Sequence, residues 1–129
     1  MDKEYLIHKE LGYKIIGVAM QVHTELGHGF MEKVYENAMM VLLRQEGVKA
    51  LQQFPITVKY LNEVVGEYVA DIFVDDKVLC ELKSVDRISN AHRAQALNYL
   101  KATGLELAII LNFGKEKLEF ERLVLQPKL

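Results

Sequence analysis

Three charged residues stand inside what otherwise reads as the hydrophobic centre of a sheet. Asp71 interrupts the run Val69-Ala70-Asp71-Ile72-Phe73-Val74, and Glu81 and Lys83 follow directly on Val78-Leu79-Cys80. Taking an unpaired charge out of water costs on the order of several kcal/mol or more, so a core strand carries such residues only if they pair with one another or hold a metal. Two carboxylates and a lysine within reach of each other make a candidate divalent-metal site. The competing reading is a structural ion-pair network at a sheet end, which perturbs buried charges without doing chemistry.

Composition narrows the setting. A chain of 129 residues, 50% hydrophobic and 26% charged, suits one globular domain over residues 1–129 with one proper core. A formal charge of -2 gives no overall basic surface, so a nucleic-acid partner has to meet a local positive patch or a second subunit. Met1-Asp2-Lys3-Glu4-Tyr5 lacks a basic start followed by an apolar stretch, and charges break every apolar run well before membrane-spanning length. A soluble, cytoplasmic protein with no membrane partner is expected. Cys80 is the only cysteine, which excludes disulfides and cysteine-rich zinc sites within one chain, and its apolar surroundings predict a buried, inert thiol.

Ile7, Leu11, Ile15, Val18, Ala19, Val22 and Leu26 recur at helical spacing, and Gly27-His28-Gly29 closes that helix. A second helix beginning close to Glu32 carries Val34, Tyr35, Ala38, Val41 and Leu42 and is capped near Gly47. Phe54, Ile56, Val58 and Tyr60 alternate as a half-buried strand does, with Pro55 favouring an edge, and Leu61-Asn62-Glu63 reads as a turn. Ser89 or Asn90 caps a third helix whose Ala91, Ala94, Leu97 and Tyr99 or Leu100 face inward, and Gly104 ends it. Strands over Leu107 to Leu111 and Leu118 to Leu125 follow, then a short polar tail. The expected order is helix, helix, three strands, helix, two strands.

Register decides whether Asp71 and Glu81 meet. A two-residue turn at Asp75-Asp76 pairs Asp71 with Cys80 and turns Glu81 to the other face, whereas a three-residue loop through Lys77 sets Asp71 opposite Glu81. A shared site requires the second register, or a bulge. With that register, Asp71, Glu81 and the peptide carbonyl of Leu82 supply the hard oxygen ligands that Mg²⁺ or Mn²⁺ prefers. Lys83 shares a strand face with Glu81, within reach of an attacking water or a scissile phosphate. These parts suit metal-assisted phosphodiester hydrolysis.

Val69-Ala70-Asp71 with Glu81-Leu82-Lys83 resembles the bipartite motif of the PD-(D/E)XK nuclease superfamily, and Gly29-Phe30-Met31-Glu32-Lys33-Val34-Tyr35 resembles the signature of the GxxExxY family. Val22-His23-Thr24-Glu25-Leu26-Gly27, Tyr99-Leu100-Lys101-Ala102-Thr103-Gly104 and Leu111-Asn112-Phe113-Gly114 extend the likeness over nearly the whole chain. Gln95-Ala96-Leu97-Asn98-Tyr99 is similar to the QxxxY motif of RecB-like exonucleases. The resemblance implies a restriction-endonuclease-like α/β core, a mixed, mainly antiparallel sheet flanked by helices. It implies Asp71 and Glu81 as principal metal ligands, Lys83 as catalytic lysine, Glu32 as a helix-borne acid ordering a metal or its water, and Gln95 and Tyr99 as positioning groups. Ala70 stands where the superfamily's motif has proline, a change that leaves the metal chemistry intact.

Each lesser candidate has a plainer reading. Glu32 sits in a first helical turn, where the helix dipole favours any carboxylate. Tyr35 suits core packing with its hydroxyl satisfied near the site. His23, His28 and His92 are too scattered for zinc spacing, although His23 falls at a recurring family position and is kept as an outer member of the site. Lys77, Arg87, His92, Arg93 and Lys101 form a candidate phosphate-contacting patch, or ordinary solvated surface. The function expected is Mg²⁺- or Mn²⁺-dependent DNA cleavage. The alternatives are a non-catalytic nucleic-acid-binding or interaction module, and a subunit of a repair or defence assembly that needs a protein partner or homodimer.

Overall fold

In a computed structural model that describes residues 7–125, the expected order of elements is the order found. The chain runs α1 (Lys9–Leu26), α2 (Glu32–Gln45), β1 (Ala50–Tyr60), β2 (Glu63–Val74), β3 (Val78–Lys83), α3 (Asn90–Thr103), β4 (Leu107–Asn112) and β5 (Glu119–Val124). The segment Met1–Tyr5 and the polar tail lie outside the described residues. Among the described residues no helix is long and apolar enough to cross a membrane.

Local chemistry sets the helix ends. The Val48 N–H donates to the Leu43 carbonyl at 2.9 Å and the Gly47 N–H to the Arg44 carbonyl at 3.0 Å, with Gly47 at φ 72. That double bond pattern needs a left-handed residue, which glycine adopts without a Cβ clash. At the start of α3, the Ser89 hydroxyl accepts from the His92 N–H and the Ser89 N–H donates to the His92 ring. Of the two candidate caps it is therefore Ser89 that acts, with histidine filling the reciprocal position usually taken by glutamate or glutamine.

The strands lie in the order β1-β2-β3-β4-β5, antiparallel except for β3 beside β4, the pair that α3 connects. Pro55 is on the edge strand, where its missing N–H costs no ladder bond on the solvent side. The two turn residues Leu61 and Asn62 have φ 51 and 68, and Glu63 already pairs with Tyr60, so the turn is one residue shorter than expected. α1 and α2 cover one face, packing Ile15, Ala19, Tyr35, Met39 and Leu43 against Ile72, Val74, Cys80, Leu82, Ile109 and Leu111. α3 covers the other with Ala96, Tyr99 and Leu100 against Phe73, Leu79, Ala108 and Ile110. Burial on both faces is why Val78-Leu79-Cys80 of β3 and the five residues 107–111 of β4 read as apolar runs without alternation.

Ala91 and Ala94, expected to face inward, are exposed. α3 packs through its C-terminal half, where Tyr99 and Leu100 bring enough apolar surface to set the buried face; the small alanines cannot compete with them.

The β1–β2 hairpin switches faces halfway along. Ala50 and Gln52 point toward α2, yet Phe54 and Ile56 pack on the α3 side, although strict alternation would keep all four on one face. Gln53, at φ 54, absorbs the difference. On β2 the same break falls between Ala70, packed on the α3 side, and Ile72, packed on the α1–α2 side. Asp71 is the residue between them, and its side chain reaches across to the Leu82 N–H of β3.

The loop after β3 is clasped from the neighbouring strand. The fully buried Asn112 amide accepts from the Val85 N–H and donates to the Val85 carbonyl, both at 3.0 Å. Gly114 lets the chain pass this clasp, since a Cβ there would stand 2.5 Å from both Val85 N and Val85 O. Gly114→Ala should therefore destabilise the protein by about 2 kcal/mol, as overpacking does. Guanidinium unfolding measures it, and a change below about 0.5 kcal/mol, the range of innocuous surface substitutions, would contradict the clasp.

Candidate active site

The loop after β2 is the three-residue one. Asp75 and Asp76 have φ 52 and 56, and β2 pairs with β3 through Val74–Val78, Phe73–Leu79 and Ile72–Cys80. Asp71 and Glu81 come next in that register, and there the ladder ends. In its place the Asp71 N–H donates to Glu81 Oε2 at 3.2 Å, and the Leu82 N–H donates to Asp71 Oδ2 at 2.7 Å. Each carboxylate satisfies a backbone donor on the opposite strand, which answers how a charged pair sits inside a sheet without stranded N–H groups.

Leu82 buries its side chain in the core, leaving its backbone as its contribution to the site. The N–H and C=O of one strand residue point to the same side, and the Leu82 N–H points at Asp71. Its carbonyl therefore also looks into the gap beside the two carboxylates. The Lys83 carbonyl faces the other way and accepts from the Phe113 N–H at 2.8 Å.

Glu81 is 5% exposed. Burial first, and then the charge and side-chain hydrogen bond of Asp71, push its carboxyl up to about 8, against smaller opposing pulls from the Asp71 N–H and then the Lys83 ammonium. Lys83 is half-buried on the α3 side, and among the described residues it forms no ion pair. Tyr99 is buried, and its hydroxyl is pushed up to about 12 by burial, then by Glu81, Asp71 and Tyr68, so it lies within electrostatic reach of the carboxylate pair. Gln95, one turn earlier on α3, is exposed.

Glu32 is brought near, but to a different place. It is the first residue of α2 and accepts from the Ser84 N–H at 3.3 Å, while the Ser84 hydroxyl donates to the Phe30 carbonyl at 3.3 Å. It thus ties the end of β3 to the start of α2. No group of three or more metal-ligating side chains exists among the described residues, so Glu32 does not join Asp71 and Glu81 in one cluster.

Glu36 is the residue that spacing alone should have flagged, one turn after Glu32 on the same helix. It is buried, and it accepts from Lys33 at 2.8 Å, Gln52 at 2.6 Å and Gln53 at 3.0 Å. It holds the left-handed Gln53, the residue opposite Asp71.

Other candidates resolve differently. His23 donates to the Lys115 carbonyl at 2.7 Å beside Phe113, a tether of the β4–β5 connection and not a part of the carboxylate site. Tyr35 stacks on Phe113 at 4.5 Å, donates to the Gly27 carbonyl and accepts from the Phe30 N–H, stapling the loop before α2. The five-residue basic patch does not form. Lys77 lies at the far end of β3 paired with Asp75, the Arg93 guanidinium is held by Glu121 at 2.7 Å, and the His92 ring caps α3. Lys101 lines a groove between α3 and the β1–β2 hairpin. Cys80 is buried and its thiol is pushed up by that burial, in keeping with an inert core residue.

The donor set fits a hard divalent cation. Two carboxylates that repel one another when both are ionised, with a carbonyl facing the same gap, are the mixed oxygen ligands Mg²⁺ and Mn²⁺ take alongside water.

The raised affinity of Glu81 for its proton has a defined sign. Its carboxyl binds a proton more tightly folded than at its ordinary value of 4.5, so the stability this provides is present at low pH and is lost as pH rises through about 8. Thermal unfolding in a chelator should show Tm falling by several degrees from about pH 5.5 to about pH 8.5, and Glu81→Gln should flatten that fall. A metal-free Tm that climbs over this interval, or a variant as pH-sensitive as the wild type, would contradict it.

Comparison with known proteins follows the same lines. The model of the PD-(D/E)XK nuclease superfamily matches residues 9–123, which contain all of the site. No curated protein matches the sequence. Among solved structures, the crystal structure of SSO0001 superposes with a TM-score of 0.58 at 14% identity, covering 75% of this chain and 52% of that one. An alkaline exonuclease, LHK-Exo from Laribacter hongkongensis, superposes with a TM-score of 0.55 at 12% identity, covering 84% of this chain and 68% of the exonuclease. The chain thus spans about half the length of the first and two thirds of the second, and the likeness is one of fold. With a mixed sheet flanked by helices, and a match across nearly its whole described length, the chain belongs to the PD-(D/E)XK nuclease superfamily.

Proposed function

We propose that the protein is a nuclease that hydrolyses DNA phosphodiester bonds with Mg²⁺ or Mn²⁺ held by Asp71, Glu81 and the Leu82 carbonyl. The observation that carries this reading is the break in the β2–β3 ladder, where the two carboxylates meet and exchange hydrogen bonds with opposite backbones. A purely structural pair would be expected to take its counter-charge from a nearby cation at contact distance; among the described residues the pair has none, and Lys83 stands off on the same strand.

A divalent cation held at these oxygens would supply charge to offset that developing on the phosphate and would ease deprotonation of the attacking water. The protein's residues do the rest. Lys83 donates hydrogen bonds to the attacking water or to a phosphate oxygen, from a half-buried position where its charge is poorly screened. Glu32 holds the backbone just after Lys83 through Ser84, which limits the swing of the lysine. The Tyr99 hydroxyl, kept protonated by its surroundings, is a donor for a substrate oxygen beside the carboxylates, and Gln95 offers an amide one turn away at the surface. The narrower assignment to the GxxExxY family rests on the Gly29-to-Tyr35 segment, in which Glu32 holds Ser84 at the end of β3 and Tyr35 staples the loop before α2 to Gly27.

Lys83→Ala should lower Mn²⁺-dependent cleavage of DNA by about a hundredfold or more while Tm stays within a few degrees of wild type, the loss expected for one charge-stabilising donor. Cleavage at the wild-type rate by this variant would contradict the assignment of Lys83.

A further inference from the structure

The distal half of the β1–β2 hairpin extends past β3, which pairs only with the Ile72–Val74 end of β2. A register shift between Val58 and Lys59 accompanies the hairpin's approach to α3. Between them lies a groove of about 1100 Å³. Lys59, Gly66 and Tyr68 line its hairpin wall, and Gln95, Asn98 and Lys101 its helical wall. The exposure of Ala91 and Ala94, on the same stretch of α3, leaves that wall low and open.

Two properties of the lining point to a ligand. Among the described residues no acidic side chain lines this groove, while two lysines do. The groove also presents an aromatic ring: Tyr68 is 50% exposed, and its ring centroid stands 5.7 Å from that of the buried Tyr99. Gly66 makes room for Tyr68, since a Cβ there would stand 3.3 Å from the ring. Tyr68 lies three residues before Asp71 on β2, and Tyr99, whose ring it meets, feels the charges of Glu81 and Asp71, so the groove runs beside the carboxylate pair, which does not itself line it.

Cations that track a backbone, combined with an aromatic face on which bases stack, are how proteins hold single strands without reading their sequence. In a duplex the bases already stack on one another, and presenting one to Tyr68 requires its extraction. We propose that the groove between the β1–β2 hairpin and α3 binds a single strand of DNA, one base stacked on Tyr68 and the flanking phosphates contacted by Lys59 and Lys101, and so delivers the strand to Asp71 and Glu81. The assignment rests on the nuclease reading for the fate of the strand, but the binding itself requires no cleavage.

The test is fluorescence anisotropy in EDTA with a labelled 12-nucleotide oligo(dT) and, separately, the same strand annealed to oligo(dA). Wild type should bind the single strand at least tenfold more tightly than the duplex. Tyr68→Ala should weaken single-strand binding about tenfold, and Tyr68→Phe, which keeps the stacking face, should restore it. Lys59→Gln with Lys101→Gln should lower the slope of log affinity against log salt by roughly 1.4, the share of two single-strand phosphate contacts. Both lysines and Tyr68 are surface positions, and circular dichroism confirms that the variants fold. No measurable binding, equal binding of duplex, or variants that bind as wild type does would each overturn the groove assignment. Wild-type binding with the predicted variant losses, but no cleavage on adding Mn²⁺, would uphold the groove and overturn the nuclease reading instead.

Discussion

Two side chains stand in for one rung of the sheet. Where β2 and β3 would continue their ladder, Asp71 and Glu81 accept from the N–H groups of Leu82 and Asp71, so the strands part without leaving those backbone donors buried and unmet. Everything of functional interest is arranged around that gap. The carboxylates face each other across it, the Leu82 carbonyl opens onto it, and the lysine that completes the motif lies one alternation further along the same strand.

Such a gap is costly to ionise fully, because burial and Asp71 drive the Glu81 carboxyl to hold its proton above the ordinary carboxylate range. Neighbouring elements keep it from collapsing. Glu36 holds Gln53, left-handed and opposite Asp71, where the hairpin switches faces. The Asn112 amide clasps Val85, Glu32 holds Ser84, and Tyr35 staples the loop from which α2 begins. These contacts are polar, local and spread over α2, β1, β4 and two loops. They give a rigid frame to a site whose own charges oppose one another, as pre-organised sites require.

Much of this was legible in the sequence, and for physical reasons. Charges inside apolar runs marked Asp71, Glu81 and Lys83, and counting loop residues reduced the register to two options whose consequences differed by a whole strand face. Helix periods and glycine caps located the three helices of the described residues. The turn of the hairpin at Gln53 left no trace, because a left-handed residue in a strand is held there by tertiary contacts, here with Glu36. For the same reason the basic patch misled: proximity along the chain placed Lys77 and Arg93 beside the motif, while the fold sent one to the far end of β3 and gave the other to Glu121. The buried face of α3 was misjudged because alanines fit a helical period at several phases, and only packing against Phe73 and Leu79 chooses among them.

The central claim is that the parted strands form a single divalent-cation site made of both carboxylates. Isothermal titration with Mn²⁺ near pH 8, comparing the wild type with Glu81→Gln and Asp71→Asn, tests it without any assumption about substrate. One binding event in the wild type, lost in both variants whose Tm values show them folded, is the predicted result. Absence of binding to the wild type, or binding that survives in both variants, would contradict it.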